Sequence, residues 1–214
     1  MAVYDLEEQE QISALKAWWE QYGNLVVGLI SALALASVGW QGWQWYQNRQ
    51  AGEAGGVYFL VQQAAESGQV QLARDNAGRL ISDYPRTSYA QLGALLAAGV
   101  QVRAGELDNA QAQLSWAAEE GKDAALRDLA RLRLAALLLQ KGEHDAALAR
   151  LQAEPAAAFA ARFADLRGDV YAAQGKAGEA RQAWQGALDA ISPADERSFA
   201  IREIVRIKLD ALEG

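Results

Sequence analysis

Residues 168–188 read GDVYAAQGKAGEARQAWQGAL, a stretch in which small, aromatic and large apolar residues recur at helical spacing on both sides of a glycine. Gly175 follows one apolar helical segment, and Ala180 opens a second one five residues later. Glycine accepts the left-handed conformation of a tight turn, and a small alanine lets the second helix pack closely on the first. The stretch therefore predicts a helix–turn–helix unit.

The same glycine-to-alanine spacing occurs four times in the chain. The glycines are Gly68, Gly105, Gly142 and Gly175, at intervals of 37, 37 and 33 residues, and the alanines are Ala73, Ala110, Ala147 and Ala180. A helix pair that recurs at this period is typical of a solenoid. The last copy matches the small, aromatic, turn, small and large positions of a tetratricopeptide repeat at Gly168, Tyr171, Gly175, Ala180 and Trp184.

The earlier copies match this repeat less well. The third copy keeps Ala135, Leu138, Gly142, Ala147 and Leu151. The second keeps Ala98, Gly105, Ala110, Leu114 and Ala117, but Gln101 stands where a large apolar residue is expected. The first has Gly68, Ala73 and a Pro85 that would end its second helix. We expect an all-α, tetratricopeptide-like solenoid of about four helix pairs, of which the first is degenerate.

A final helix is predicted to close the solenoid. Ser192 is a suitable N-cap and Pro193 a suitable first helical residue. The helix would run to Leu212, with an apolar stripe of Ile201, Ile204, Val205 and Leu209. A capping helix of this kind covers the open end of a repeat array.

The first helix of each pair is expected to line the concave side of the solenoid. The repeat register places three groups of residues there: Leu92, Leu95 and Val102; Leu129, Leu132 and Leu139; and Arg162, Asp165 and Asp169. A groove with an apolar middle and a charged end would suit an extended polypeptide. The alternative is that these leucines pack against neighbouring repeats or the cap.

An apolar segment precedes the repeats. No charged residue lies between Glu20 and Arg49, and residues 24–46 are long enough to cross a hydrocarbon core of about 30 Å. The segment has an apolar centre with an aromatic belt at each end, represented by Trp18, Trp19, Leu25, Ile30, Leu33, Leu35, Trp40, Trp43 and Trp45. The residues before it are acidic and the belt continues past Ala34, so we predict an uncleaved anchor rather than a signal peptide.

Four segments follow from these patterns: an acidic amphipathic segment at 1–23, a transmembrane helix at 24–46, a glycine-rich linker at 47–56 and the repeat domain at 57–214. The acidic segment is either a solvated helix face or a docking tail for a cytoplasmic partner. Lys16 and Arg49 are the basic residues nearest the span on its two sides, so the positive-inside rule leaves its orientation open.

The composition offers little for catalysis. The chain has no cysteine and one histidine, His144, in a turn-like sequence, which is too few for an ordinary zinc site. No phosphate-binding glycine loop or nucleophile elbow occurs. The net charge is −7 with no basic patch, so nucleic acid is an unsuitable partner. We expect a non-enzymatic protein without cofactor, metal or small-molecule substrate.

Two stretches resemble a known family. YDLEEQEQISALKAWWEQYGN at residues 4–24, before a single apolar span, and FADLRGDVYAAQGKAGEARQAWQGAL at residues 163–188 are similar to the YfgM family, the ancillary subunits of the bacterial SecYEG translocon. The resemblance covers nearly the whole chain.

The resemblance implies a location and partners that the residue patterns alone do not give. Family members are single-pass inner-membrane proteins with a cytoplasmic N-terminus and a periplasmic repeat domain. They contact membrane lipid, SecYEG, the periplasmic chaperone PpiD and unfolded secreted polypeptides. Two other functions stay open: a membrane-tethered scaffold for a cytoplasmic regulator, and an envelope-assembly scaffold unrelated to secretion.

Overall fold

The computed structural model describes residues 3–191 and 199–212, with side chains from residue 10 onwards. Those residues form helices and no strand, which confirms the predicted all-α class. The helices are α1 (Val3–Glu66), α2 (Val70–Asp83), α3 (Ser88–Arg103), α4 (Leu107–Glu119), α5 (Ala124–Gln140), α6 (His144–Arg150), α7 (Ala157–Ala173), α8 (Ala177–Asp189) and α9 (Phe199–Ala211). The chain divides into two compact units between Gln50 and Ala51.

The first unit is helical and contains a stretch of α1 that is long and apolar enough to cross a membrane. The side chains predicted for the span and its belts are all exposed: Trp18, Trp19, Leu25, Ile30, Leu33, Leu35, Trp40, Trp43 and Trp45. At one end of the segment, Trp18 packs against Tyr22 with ring centroids 5.8 Å apart. Large apolar side chains that find no protein core are typical of a helix that faces lipid.

The segment expected to be a linker, residues 47–56, is helical throughout. Three glycines in the interior of a helix each cost about 1 kcal/mol relative to alanine, but packing in the second unit outweighs that cost. Ala54 is fully buried in a cluster with Ala73 and Ala90. A Cβ on Gly55 would lie 3.5 Å from the ring of Tyr89, which is an ordinary van der Waals contact. The burial of Ala54 therefore stabilises the helix here despite its glycines.

The second unit contains four helix pairs, each with the same turn. Gly68, Gly105, Gly142 and Gly175 have φ between 67 and 80°. After each glycine, the next main-chain N–H donates to a carbonyl five residues earlier, at 2.8–2.9 Å: Gln69 to Ala64, Glu106 to Gln101, Glu143 to Leu138 and Lys176 to Tyr171. This is the Schellman arrangement that ends a helix at a left-handed glycine. The glycine spacing thus predicted the turn within each of the four helix pairs.

Alanines and a few large side chains fill the core between the helices. Ala73, Ala110, Ala147 and Ala180, five residues after the turn glycines, have no exposed surface. The degenerate first pair, formed by residues 51–66 of α1 and by α2, buries Val61, Ala64 and Ala77. A larger cluster joins α3 to α7, and a third joins α7, α8 and α9.

The shorter interval of the third repeat comes from α6. This helix has 7 residues, whereas α4 and α8 have 13 each. Asp128 of α5, which is 5% exposed, accepts a hydrogen bond from the main-chain N–H of Ala156 at 2.9 Å. Arg131 donates to the same carboxylate at 3.0 Å. The buried carboxylate therefore holds the start of α7 in place where the short α6 ends.

The last pair and α9 form the end of the solenoid. Trp184 of α8 lies over Gly168 of α7, and Tyr171 packs against the same cluster. Val205 of α9 is fully buried there, with Ile201 and Leu209 beside it, whereas Ile204 is exposed. The helix start predicted at Ser192 and Pro193 lies outside the described residues.

Candidate interaction groove

A groove of about 400 Å³ runs between α3 and α5, the first helices of the second and third pairs. Its floor consists of apolar or small residues: Leu95, Leu96, Ala98, Gly99, Val102, Leu114, Ala136 and Leu137. Its polar lining is limited to Arg103, Arg133 and Gln140. This volume lies within the range of about 300–1,000 Å³ that is usual for binding pockets.

Two helix N-caps and one buried glutamine position the two helices. Thr87 caps α3 by accepting from the N–H of Ala90, and Asp123 caps α5 by accepting from the N–H of Leu126. Gln91 of α3, fully buried, donates to the main-chain oxygen of Asp123 at 3.2 Å and accepts from its N–H at 2.7 Å. These bonds tie the start of α5 to the start of α3.

The structure brings only part of the predicted groove together. Leu95 and Val102 line it. Leu129, Leu132 and Leu139 are partly buried and pack against the core cluster of α3 to α7, and Leu92 is partly buried outside the groove. Most of the predicted leucines therefore fit the alternative that they are packing residues.

Sequence reasoning missed the residues that make the space. Gly99 and Ala136 follow Leu95 and Leu132 by one helical turn, and no large side chain fills the gap they leave. A Cβ on Gly99 would have Arg103 Nη1, at 3.9 Å, as its only neighbour. A small residue one turn after Leu95 and one turn after Leu132 was the available signal.

The charged lining of the groove is cationic. Arg133 donates from Nη1 to the main-chain oxygen of Leu95 at 3.2 Å, which bridges α5 to α3 and leaves its other N–H groups available. Arg103 is exposed and makes no ion pair with any described residue. No Asp or Glu lines the groove, although acidic residues outnumber basic ones in the chain. The groove therefore presents two guanidinium groups beside an apolar floor.

The acidic residues predicted for the far end of the groove form ion pairs with the capping helix α9. Lys208 of α9 contacts Asp165 and Asp169, each at 2.6 Å. Trp184 Nε1 donates to the main-chain oxygen of Asp165 at 3.1 Å and to Asp169 Oδ1 at 3.2 Å. Arg162 is exposed. The two carboxylates therefore anchor α9 and are not available to a ligand.

Burial and the opposite charges of neighbouring groups shift the pKa values of this cluster in opposite directions. Burial alone would lower the pKa of Lys208, but hydrogen bonds and charges from Asp165 and Asp169 outweigh it, so the pKa of Lys208 is raised above 10.5. Burial raises the pKa of Asp165 above 3.8, and Lys208 offsets this only in part. The cation is thus firmly held by its two acceptors.

The described residues contain no cluster of His, Asp and Glu that could hold a metal ion. His144 is the first residue of α6 and is partly exposed.

Comparison with known proteins supports the same fold. The family model for a tetratricopeptide repeat-like domain matches residues 16–214. A protein of Neisseria gonorrhoeae named ancillary SecYEG translocon subunit is 34% identical over 212 residues, which cover 97% of this chain and 98% of that one. Proteins of the same name from Haemophilus influenzae and Escherichia coli K12 are 27% and 29% identical, over 91% and 99% of this chain and 95% and 99% of theirs. The chain therefore belongs to the YfgM family of tetratricopeptide repeat-like proteins.

Proposed function

We propose that this protein is a membrane-anchored, non-catalytic adaptor of the SecYEG translocon. The observation that carries the proposal is the similarity to proteins named ancillary SecYEG translocon subunits, which extends over nearly the full length of both chains. A relative that shared only the repeats would support a protein-binding domain of any kind. Similarity that includes the N-terminal apolar helix also supports a shared cellular location.

In this proposal, residues 24–46 cross the bacterial inner membrane once. The exposed apolar side chains and aromatic belts support the span. The N-terminus lies in the cytoplasm and residues 57–214 in the periplasm. The likeness of residues 4–24 to the YfgM family supports this orientation, since Lys16 and Arg49 leave the charge balance even.

The repeat domain then provides the adaptor surface beside the translocon exit. We propose that it receives the periplasmic chaperone PpiD and emerging secreted polypeptides. The support is an apolar groove in a domain whose described residues offer no metal cluster for chemistry. Solenoids of this kind commonly use their concave side for polypeptide recognition.

Co-purification in mild detergent tests the proposal. The full chain should retain SecYEG subunits and PpiD. A variant in which an unrelated apolar span replaces residues 24–46 should lose most of the SecYEG signal if the span contacts the translocon. Retention of neither SecYEG nor PpiD by the full chain would contradict the proposal, and a set of envelope-assembly proteins in their place would support the alternative scaffold.

Protease treatment of spheroplasts tests the orientation separately. A periplasmic repeat domain should be digested in intact spheroplasts, whereas residues 1–23 should be protected. Protection of the repeat domain would overturn the periplasmic placement and would favour a scaffold for a cytoplasmic regulator.

A further inference from the structure

We infer that the α3–α5 groove selects apolar polypeptide segments that carry an acidic side chain, through Arg103 and Arg133. This goes beyond a general polypeptide-binding surface because it names the charge of the preferred segment. It rests on the proposed adaptor function only for the origin of that segment, which is an emerging secreted polypeptide.

The shape of the groove suits the apolar side chains of an incoming segment. Gly99 of α3 and Ala136 of α5 are both in the lining, where larger residues would close the space between the helices. Leu95, Leu96 and Val102 supply apolar surface on the α3 side, and Leu137 supplies it on the α5 side. A volume of about 400 Å³ accommodates a few apolar side chains of an incoming segment.

The charge of the lining favours an acidic side chain on that segment. The charged residues that line the groove are both arginines, in a chain whose net charge is −7. Arg133 is held in place by its bond to the carbonyl of Leu95, so its orientation is partly fixed before a ligand arrives. A guanidinium group binds carboxylates through paired N–H donors, and next to an apolar floor that interaction is less screened than in open water.

The two arginines differ in their partners from two other cations of the domain. Lys208 is engaged by Asp165 and Asp169, and Lys141 by Asp108 and Glu143. Those cations already have carboxylate partners inside the domain. Arg103 and Arg133 have none among the described residues, so a carboxylate from another chain would complete their environment.

The test uses the full chain in nanodiscs of zwitterionic phosphatidylcholine. Three photoreactive peptides of the same apolar sequence carry two central Glu, two central Gln or two central Lys residues. Photoadducts are mapped by mass spectrometry as a function of peptide concentration. Because the three peptides partition differently into lipid, half-saturation is expressed as the free aqueous concentration of each peptide, which is measured with empty nanodiscs.

The expected result is adduct formation on α3 and α5, with half-saturation at about 5- to 10-fold lower concentration for the Glu peptide than for the Gln peptide. The Lys peptide should bind most weakly. Added salt should reduce the difference between peptides. The double variant R103Q/R133Q should bind the three peptides alike, whereas the control R79Q/R86Q, at two exposed arginines outside the groove, should keep the preference.

A larger side chain in the groove tests the role of its shape separately from the role of its charge. Ala136→Leu should reduce binding of all three peptides, whereas Ala112→Leu, at an exposed position of α4, should not. Equal binding of the three peptides, a preference that survives R103Q/R133Q, or adducts outside α3 and α5 would each overturn the inference. A change of oligomeric state in Ala136→Leu would also overturn it, because a second copy would then cover the groove.

Failure of this inference can be distinguished from failure of the adaptor proposal. If the full chain co-purifies with SecYEG but shows no charge preference, only the inference about the groove is overturned. If the full chain does not co-purify with SecYEG or PpiD, the adaptor proposal is overturned, whichever peptide the groove prefers.

Discussion

Gly168 of α7 lies directly beneath the indole ring of Trp184 in α8. A Cβ on Gly168 would overlap both Cδ1 and Nε1 of that ring. The indole N–H donates to the main-chain oxygen of Asp165, one turn before the glycine, at 3.1 Å. The hydrogen bond fixes the height of the ring over α7, so that only a hydrogen atom fits beneath it.

Gly168→Ala should therefore destabilise the repeat domain by about 1–3 kcal/mol, because the added methyl group displaces Trp184. The measurement is urea unfolding of the full chain in detergent, followed by far-ultraviolet circular dichroism. Gly186→Ala is the control, since that helical glycine has no atom within 4 Å of an added Cβ and should become more stable by about 0.5–1 kcal/mol. Equal effects of the two substitutions would contradict the packing described.

Two buried glutamines of α3 should respond to the same substitution in opposite directions. Gln101 has no exposed surface, and neither its Nε2 nor its Oε1 has a hydrogen-bond partner among the described atoms. It occupies the position that Leu138 and Tyr171 hold in the later repeats. Gln101→Leu should stabilise the domain by about 1–2 kcal/mol, because an unpaired amide is replaced by an apolar side chain.

Gln91→Leu is the matched variant. Gln91 is also fully buried, but its amide bonds to the main chain of Ala117 and Asp123. Gln91→Leu removes these hydrogen bonds, so it should destabilise the domain by about 1–3 kcal/mol in the same unfolding measurement. A destabilised Gln101→Leu protein would show that this amide has a partner and would refute the prediction.

The sequence predicted the solenoid because its main signal is local. A left-handed glycine and a buried alanine five residues later depend on one turn and one helix contact, and all four copies have both. The helical course of residues 47–56 was not predicted, because glycines usually favour a break. There, the burial of Ala54 against Ala73 and Ala90 of other helices decides the conformation.

The groove was predicted less well because it depends on non-local contacts. Periodicity identifies large residues such as Leu132, whereas the groove is made by small ones such as Ala136. The pairing of Asp165 with Lys208 joins residues 43 positions apart, and helix patterns carry no information on it. The repeat register alone predicts a charged ligand surface at Asp165 and Asp169. In the structure, the capping helix α9 contacts these residues instead.

Removal of the cation at position 208 should loosen α9. Lys208→Met leaves two partly buried carboxylates facing each other, and we expect a loss of about 1–3 kcal/mol, seen as faster hydrogen exchange in α9 and α8. Lys208→Arg should retain most of the protection because it keeps the charge. Unchanged exchange in Lys208→Met would contradict the anchoring role.

The same contact predicts a pH dependence. Because the pKa of Lys208 is raised in the folded state, its contribution is fully present below 10.5, the unfolded value, and is lost as pH rises through the higher folded value. The stability difference between the wild type and Lys208→Met should therefore be constant from neutral pH to about pH 10 and then shrink. The stability difference between Lys208→Arg and Lys208→Met should not shrink over that range, since arginine stays charged. A difference that shrinks already near neutral pH would contradict this assignment.

The span should be sensitive to charge at its centre. Leu33→Arg should reduce membrane integration by about 2.5–3.5 kcal/mol, measured with a glycosylation reporter of insertion. Asn48→Arg, beyond the aromatic belt, should have little effect. Equal integration of both variants would argue against a span centred near Leu33.

In-cell photocrosslinking tests the central claim most directly. A photoreactive amino acid at Leu35 in the span should crosslink to subunits of SecYEG, and one at Ala136 in the groove should crosslink to PpiD or to a secreted polypeptide in transit. Exposed Ala112 on α4 is the control and should give much weaker crosslinks. Crosslinks from Leu35 and Ala136 to none of these proteins would contradict the account.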